Sequence, residues 1–271
     1  MSKAAVEEFK STQRRIWGGV GDYPAIARVL EPVAEIAADL VPEPDGKKVL
    51  DAAAGTGNFA IAAAERGAVV TALDLSPELI ELGSQRTLKA GHEVRWVEGD
   101  VEELAFPDDH FDAVGSVFGV TAAPRHAVVT AEICRVCKPG GRIVITAWSP
   151  EGYLGQVMAL VERLLDGPPA GVDSPLLWGD PEYVAERFEV LAPVQTQTRT
   201  LGTRVDTVLE MRRFWELKSP PLAAARVRMK EKGVIDEFNQ GVMKLVGEFN
   251  KSSLGNCEID NEYLVIVAQP R

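Results

Sequence analysis

A chain of 271 residues, 46% of them apolar, is long enough to bury one full core. Its net charge of −11 opposes phosphate backbones and acidic membrane surfaces, so neither nucleic acid nor a membrane is an expected partner. The opening residues Met1–Glu8 lack the apolar stretch of a secretion signal, no apolar run reaches bilayer length, and three cysteines make no disulfide framework; the expectation is a cytoplasmic monomer or homodimer acting on a small molecule.

Residues 3–40 read as two helices parted by Gly18-Gly-Val-Gly-Asp-Tyr-Pro24, the second with Ile26, Val29, Leu30, Val33, Ile36, Ala37 and Leu40 at helical spacing. Val41-Pro-Glu-Pro-Asp-Gly46 breaks the chain. Strand and helix then alternate. Lys48–Ala52 reads as a strand, Asn58–Arg66 as an alanine-rich helix, Ala68–Leu73 as a second strand, and Ser76-Pro77-Glu78 as the capped start of the next helix. Further strands are expected at Val94–Val97, Phe111–Val117 and Arg142–Trp148. Thr130–Lys138 reads as a helix with Cys134 and Cys137 on one face, packed as small hydrophobes. No histidine or second cysteine pair stands near to complete a zinc site, and no metal is expected.

Short apolar strands alternating with helices require crossover connections and a parallel sheet covered on both faces, a doubly wound α/β pattern. Beyond it, 150–166 reads as a helix, 166–180 as a loop rich in Gly and Pro, and 188–204 as a strand. Two or three helices follow within 206–250, and Glu262–Ala268 is a final strand. A late strand, a helical insertion and a last strand predict an antiparallel edge with a lid inserted into it. The expected organisation is one domain over 1–271, with a helical cover at 1–41, a ligand-binding core at 46–149 and lid elements at 150–187 and 205–258.

In a parallel sheet, ligands bind at the carboxyl ends of strands near the point where strand order reverses. After the first strand comes Asp51-Ala-Ala-Ala-Gly-Thr-Gly57-Asn58, whose small residues let the backbone approach a ligand and let the next helix present its N-terminus. Asp74 after the second strand can accept both hydroxyls of a ribose, and Asp100 in Gly99-Asp-Val101 can receive the amino group of a purine. Gly55-Thr-Gly57-Asn-Phe-Ala60 by itself fits the dinucleotide pattern nearly as well. Asp51, Asp100 and the Lys138-Pro-Gly-Gly141 turn pull toward adenosylmethionine.

Five stretches, Val49-Leu-Asp-Ala-Ala-Ala-Gly-Thr-Gly57, Val70-Thr-Ala-Leu-Asp74, Glu98-Gly-Asp-Val101, Phe111-Asp-Ala-Val114 and Arg135-Val-Cys-Lys-Pro-Gly-Gly141, carry a resemblance in the right order. The chain resembles the class I S-adenosylmethionine-dependent methyltransferases, within them the group of quinone-biosynthesis and small-molecule enzymes. The resemblance implies a Rossmann-like sheet of seven strands ending in an antiparallel hairpin, with S-adenosylmethionine as cofactor. It implies that Ala53, Gly55 and Gly57, with Asn58 opening the helix, lie along the methionine part. Asp74 would bind the ribose, with Leu75 beside the adenine; Asp100 and Val101 would hold the adenine. Val117 and Phe118 would flank the sulfonium, and Trp17 and Tyr23 would close over the cofactor. The sequence departs from the family pattern at Ala53, where glycine is usual, and at Val120-Thr-Ala122, where many relatives carry histidine.

Methyl transfer from a sulfonium mainly needs alignment and exclusion of water, so a base is optional. Candidate bases are His126 and Tyr23, with Asp22 and Tyr153 behind them; the plain reading of His126 is a surface residue in the first turn of a helix. The acid pairs Glu7-Glu8, Glu102-Glu103 and Asp108-Asp109 read as solvated faces. An apolar acceptor pocket is expected between the N-terminal helices, Trp148–Gly155 and the insertion, drawing on Met158, Met211, Phe214, Trp215 and Met243. The alternatives are other chemistry on the same fold with bound adenosylmethionine, as in a cyclase, an NAD-dependent oxidoreductase, or a binding module without activity.

Overall fold

The computed structural model describes residues 3–253 and 255–271; Met1 and Ser2, on which part of the leader reading rests, lie outside the described residues. Two helices, α1 (Lys3–Gly19) and α2 (Tyr23–Asp39), lead into β1 (Lys48–Ala52), α3 (Asn58–Glu65), β2 (Val69–Asp74), α4 (Pro77–Lys89) and β3 (Arg95–Glu98). Then come β4 (Phe111–Val117), α5 (His126–Val136), β5 (Cys137–Trp148), α6 (Tyr153–Leu164) and α7 (Pro181–Phe188). The chain ends with β6 (Val194–Val205), α8 (Val208–Lys218), α9 (Pro220–Lys232), α10 (Ile235–Phe249) and β7 (Cys257–Ala268).

All seven strands form one sheet in the order β3-β2-β1-β4-β5-β7-β6. The first five run parallel, and β7 pairs antiparallel with both β5 and β6. The expected doubly wound α/β sheet with a terminal antiparallel hairpin is therefore what the chain builds. Strand order reverses between β1 and β4, so the carboxyl ends of these two strands mark the binding crevice.

Local chemistry accounts for the element boundaries. In β1, Val49, Leu50, Asp51 and Ala52 are all buried, as a strand covered on both faces requires. Asp22 accepts the Ala25 amide at 3.2 Å with Pro24 in the first turn of α2, and Ser76 accepts the Leu79 amide at 3.3 Å with Pro77 opening α4. One apolar layer joins α2, α3, α6 and α8–α10 to the sheet, and a second joins α5 and α7 to its other face. Among the described residues no helix is long and apolar enough to cross a membrane.

Three expectations fail locally. The helix expected over Thr130–Lys138 starts and stops earlier, at His126–Val136, so Cys137 opens β5 rather than sharing a helical face with Cys134. Both thiols are buried and pushed up to about 12 by burial, which makes them inert packing groups. Phe188 does not begin a strand; it ends α7, whose start is marked by Asp180 accepting the Glu182 amide at 2.9 Å ahead of Pro181. The last strand begins at Cys257, five residues before the expected Glu262, because Cys257, Ile259, Asn261 and Tyr263 alternate inward against outward-facing acids.

Candidate functional site

The loop leaving β1 makes three left-handed residues in quick succession, Ala53 (φ 55°), Gly55 (φ 57°) and Gly57 (φ 81°). It is strapped to β2 through the Ala54 amide on the Leu73 carbonyl at 2.9 Å and the Gly55 amide on Asp74 Oδ2 at 2.7 Å. Gly57 caps α3 without a side-chain acceptor, and Asp51, 1% exposed at the end of β1, takes the Ala60 amide at 2.9 Å instead. Burial pushes the Asp51 carboxyl up to about 8, with the Asp74 charge adding to it and the Ala60 amide opposing it.

The positions of small residues here are enforced by neighbours. A Cβ on Gly55 would fall 1.9 Å from the Tyr23 hydroxyl, and one on Gly119 would fall 2.3 Å from the Ala53 carbonyl oxygen. Alanine at 53 sits in a left-handed conformation that costs an alanine about 1–2 kcal/mol. Glycine there would forgo about 0.5–1 kcal/mol of chain entropy. Ala53→Gly is therefore expected to raise unfolding stability in urea by up to about 1.5 kcal/mol; a clear loss of stability would count against backbone strain at this residue.

Around this loop the predicted polar groups assemble. Asp74 is buried, its Oδ1 taking the Ser76 amide at 2.9 Å; burial holds its carboxyl above the usual range while the amides of Ser76, Gly55 and Leu75 oppose that. Each carboxylate oxygen has further lone pairs for a diol. Asp100 accepts the Glu102 amide at 2.8 Å and forms an ion pair with Lys10 of α1 at 2.5 Å. Arg14, one turn along α1, donates to the Leu75 carbonyl at 2.9 Å. Helix α1 thus lies across the ends of β2 and β3, and Lys10 and Arg14 are site neighbours that sequence reading missed. Glu102 is a correction: it is 5% exposed rather than solvated, bridging Lys10 at 2.5 Å and Arg125 at 2.8 Å.

Trp17 and Tyr23 meet edge to face at 5.8 Å, with Tyr23 over Gly55. Burial, together with the Asp74 and Asp51 charges, holds the Tyr23 hydroxyl far above the ordinary phenol range, a shift that runs against the base role considered from sequence. Asn58 donates to the Ala27 carbonyl at 2.7 Å and accepts from Arg86, which also donates to the Thr56 carbonyl of the loop at 3.3 Å. Val101 is buried in the second apolar layer, and Val117 packs on the first.

His126 is no surface residue. It is fully buried at the start of α5, tilted against Trp178 at 5.3 Å and with Nδ1 3.1 Å from the Tyr183 hydroxyl. Burial lowers it to about 4, so it is neutral and walled off from solvent, and it packs α5 to α7 instead of serving as a base. Asp22 caps α2 on the surface, and Tyr153 is buried against Phe249.

Beyond Phe118 (φ 58°) the apolar side of the crevice is aromatic. Phe118 stacks on Trp148 at 4.0 Å, Trp148 meets Trp215 at 5.9 Å and Tyr263 at 6.4 Å, and Phe214 stands against Trp215 at 5.3 Å. Of the expected pocket residues, Met211 and Trp215 are buried, Phe214 and Met158 are half-buried, and Met243 faces outward at 37% exposure. Tyr263 had no sequence signal of a site, because only the insertion of β7 beside β5 brings it here, in register with Trp148.

A glycine loop closely roofed by Tyr23, carboxylates at two successive strand ends and an aromatic wall fit a nucleoside carrying a sulfonium amino acid. A methyltransferase-domain family matches residues 49–141. An uncharacterised protein of Mycobacterium bovis is 30% identical over 269 residues, 98% of this chain and 96% of the relative. A second protein of that organism is 41% identical over 179 residues, and the match spans 66% of this chain and 65% of that relative, just under two thirds of its length. The demethylmenaquinone methyltransferase of Thermus thermophilus is 38% identical over 144 residues, 50% of this chain and 66% of that enzyme. The solved structure of the YcgJ protein of Bacillus subtilis shares the fold, with a TM-score of 0.61 over 88% of this chain and 97% of that one at 19% identity. With sheet order, loop and carboxylates in place, the chain belongs to the class I S-adenosylmethionine-dependent methyltransferases, and S-adenosylmethionine is its cofactor.

Proposed function

We propose that the protein transfers the methyl group of S-adenosylmethionine to an oxygen, nitrogen or carbon atom of a small apolar or aromatic molecule. In this reading Ala53, Gly55 and Gly57 line the methionine part, Asp74 binds the ribose, Asp100 and Val101 hold the adenine, and Phe118 flanks the sulfonium. The observation that carries it is the aromatic wall of Phe118, Trp148 and Tyr263, which begins where β4 ends beside the glycine loop. Bound S-adenosylmethionine supplies a methyl carbon already activated by the sulfonium, so the residues around it need to align the acceptor and keep water out. Tyr23 and Trp17 roof the loop, and the lid helices α8–α10 cover the aromatic side.

The test has two stages. Calorimetry with S-adenosylmethionine, S-adenosylhomocysteine and NAD is expected to show binding of the first two alone; NAD binding without S-adenosylhomocysteine binding would remove the reading. Methyl transfer to a panel of phenols, quinols, amines and acids then identifies the acceptor class, and turnover of a substrate without loss of the methyl group would favour cyclase-like chemistry. For the site, S-adenosylhomocysteine affinity should fall from Asp74 to Asn to Ala at this position. The alanine variant should lose at least about tenfold, the effect of one hydrogen bond to a charged group. Equal affinity in all three would sink the ribose assignment.

A further inference from the structure

Two buried donors in the aromatic wall have nothing to bond to. The Trp215 Nε1–H and the Tyr263 hydroxyl are in residues 4% and 0% exposed, and neither has a hydrogen-bond partner. A buried donor left unpaired is costly; others occur among the described residues, Trp178 Nε1 among them, but these two share one aromatic wall. The two rings stand edge-on to one ring between them, Trp148, at interplanar angles of 74° and 82°. Trp148 in turn lies flat on Phe118, the residue that leaves β4 beside the glycine loop.

An indole N–H can only donate, so its partner must be a lone pair, and a phenolic hydroxyl can donate to the same atom. Charged groups on the elements packed around them include Arg199 of β6, in register beside Tyr263, Glu262 of β7, and Glu216, Arg212, Arg213 and Lys218 of α8, the last over the Phe214 ring at 4.4 Å. Glu216 is engaged by Arg226 at 2.5 Å and by Arg212 at 3.8 Å. Two donors on rings that stand edge-on to Trp148 match an oxygen attached to a planar ring or enol, and they match it best when that oxygen is negative.

We propose that Trp215 and Tyr263 are the acceptor-recognition pair, and that the acceptor is a phenol, quinol or enol bound through its ionised oxygen. In this ionisation the O–H bond breaks, its electron pair stays on the oxygen, and the proton goes to solvent, so no side chain has to act as a base. The inference rests on the wall being the acceptor site of a methyltransferase.

The experiment uses the full chain saturated with S-adenosylhomocysteine and 4-nitrophenol as probe, whose visible phenolate band reports ionisation directly. The bound phenol is expected to ionise at lower pH than the free phenol. Tyr263→Phe and Trp215→Phe should each return that midpoint toward the free value and weaken nitrophenolate binding by about tenfold. Both variants should keep S-adenosylhomocysteine affinity and bind 4-nitrotoluene, which lacks the oxygen, as the parent protein does. The proposal is overturned if the probe does not bind saturably, if it binds as the neutral phenol, or if both variants hold nitrophenolate as tightly as the parent. Repeating the titration without S-adenosylhomocysteine separates the two readings. Ionised binding there, in a protein that transfers no methyl group, would leave the donor pair standing and remove the transferase.

Discussion

Gly55→Ala is expected to cost about 2–5 kcal/mol of stability and at least tenfold in S-adenosylhomocysteine affinity, combining left-handed strain of about 1–2 kcal/mol with an overpacking cost of about 1–3 kcal/mol. The reason is the 1.9 Å approach of the added Cβ to the Tyr23 hydroxyl at a residue with φ of 57°. Two further variants apportion the effect. Gly46→Ala has the same kind of backbone, φ 70°, with nothing within 4 Å, and should lose only the strain. Tyr23→Phe placed on Gly55→Ala removes the nearest atom and leaves the ring carbon at 2.7 Å, so part of the affinity should return. If Gly55→Ala and Gly46→Ala are equally mild in urea unfolding, the roof over the loop is not where the structure places it.

The second large effect lies in the pH dependence of the ligand-free protein. Asp51 has its carboxyl pushed from 3.8 to about 8 by burial, so the folded protein holds a proton there that the unfolded chain releases near pH 4. Stability is therefore greatest below that range and falls as pH rises through the window from about 4 to about 8, by up to about 1.4 kcal/mol per pH unit for one proton. Asp74, also raised by burial, acts in the same direction. Tm measured from pH 5 to pH 9 should decline in the parent protein and decline less in Asp51→Asn, which keeps an acceptor for the Ala60 amide. Identical slopes in the two proteins would show that Asp51 is ionised throughout.

The gathering of the loop, Asp74 and Asp100 at neighbouring strand ends was legible in sequence because each of these groups is announced by its own strand. The loop of 51–57, Asp74 and Asp100 each follow a short apolar run, and a parallel sheet brings strand ends together whatever the details of packing. What stayed hidden depends on partners far along the chain. Glu102 looks solvated beside Glu103, yet it is buried because Lys10 and Arg125 reach it from α1 and from the start of α5. His126 has a helix-start position typical of the surface, and only α7 and the Pro175–Gly179 turn cover it. Tyr263 belongs to a strand whose inward row includes the polar Asn261, held by the Leu201 carbonyl and Thr203, so the apolar run that normally signals a strand starts too late. The departure at Ala53 was visible in sequence, but its left-handed backbone was not.

The antiparallel hairpin has a consequence for how this scaffold can change. The chain leaves the sheet after Val205 and returns at Cys257, and these two residues pair with each other across β6 and β7. Helices α8–α10 hang between them as an excursion that begins and ends at one point on the sheet margin. Its length and side chains can be rewritten without shifting the register of β1–β5, on which the cofactor loop depends. Under the proposed function, acceptor preference can drift through this excursion while the methyl-donor machinery stays fixed, leaving Tyr263 as the place where a new lid must still meet an old strand.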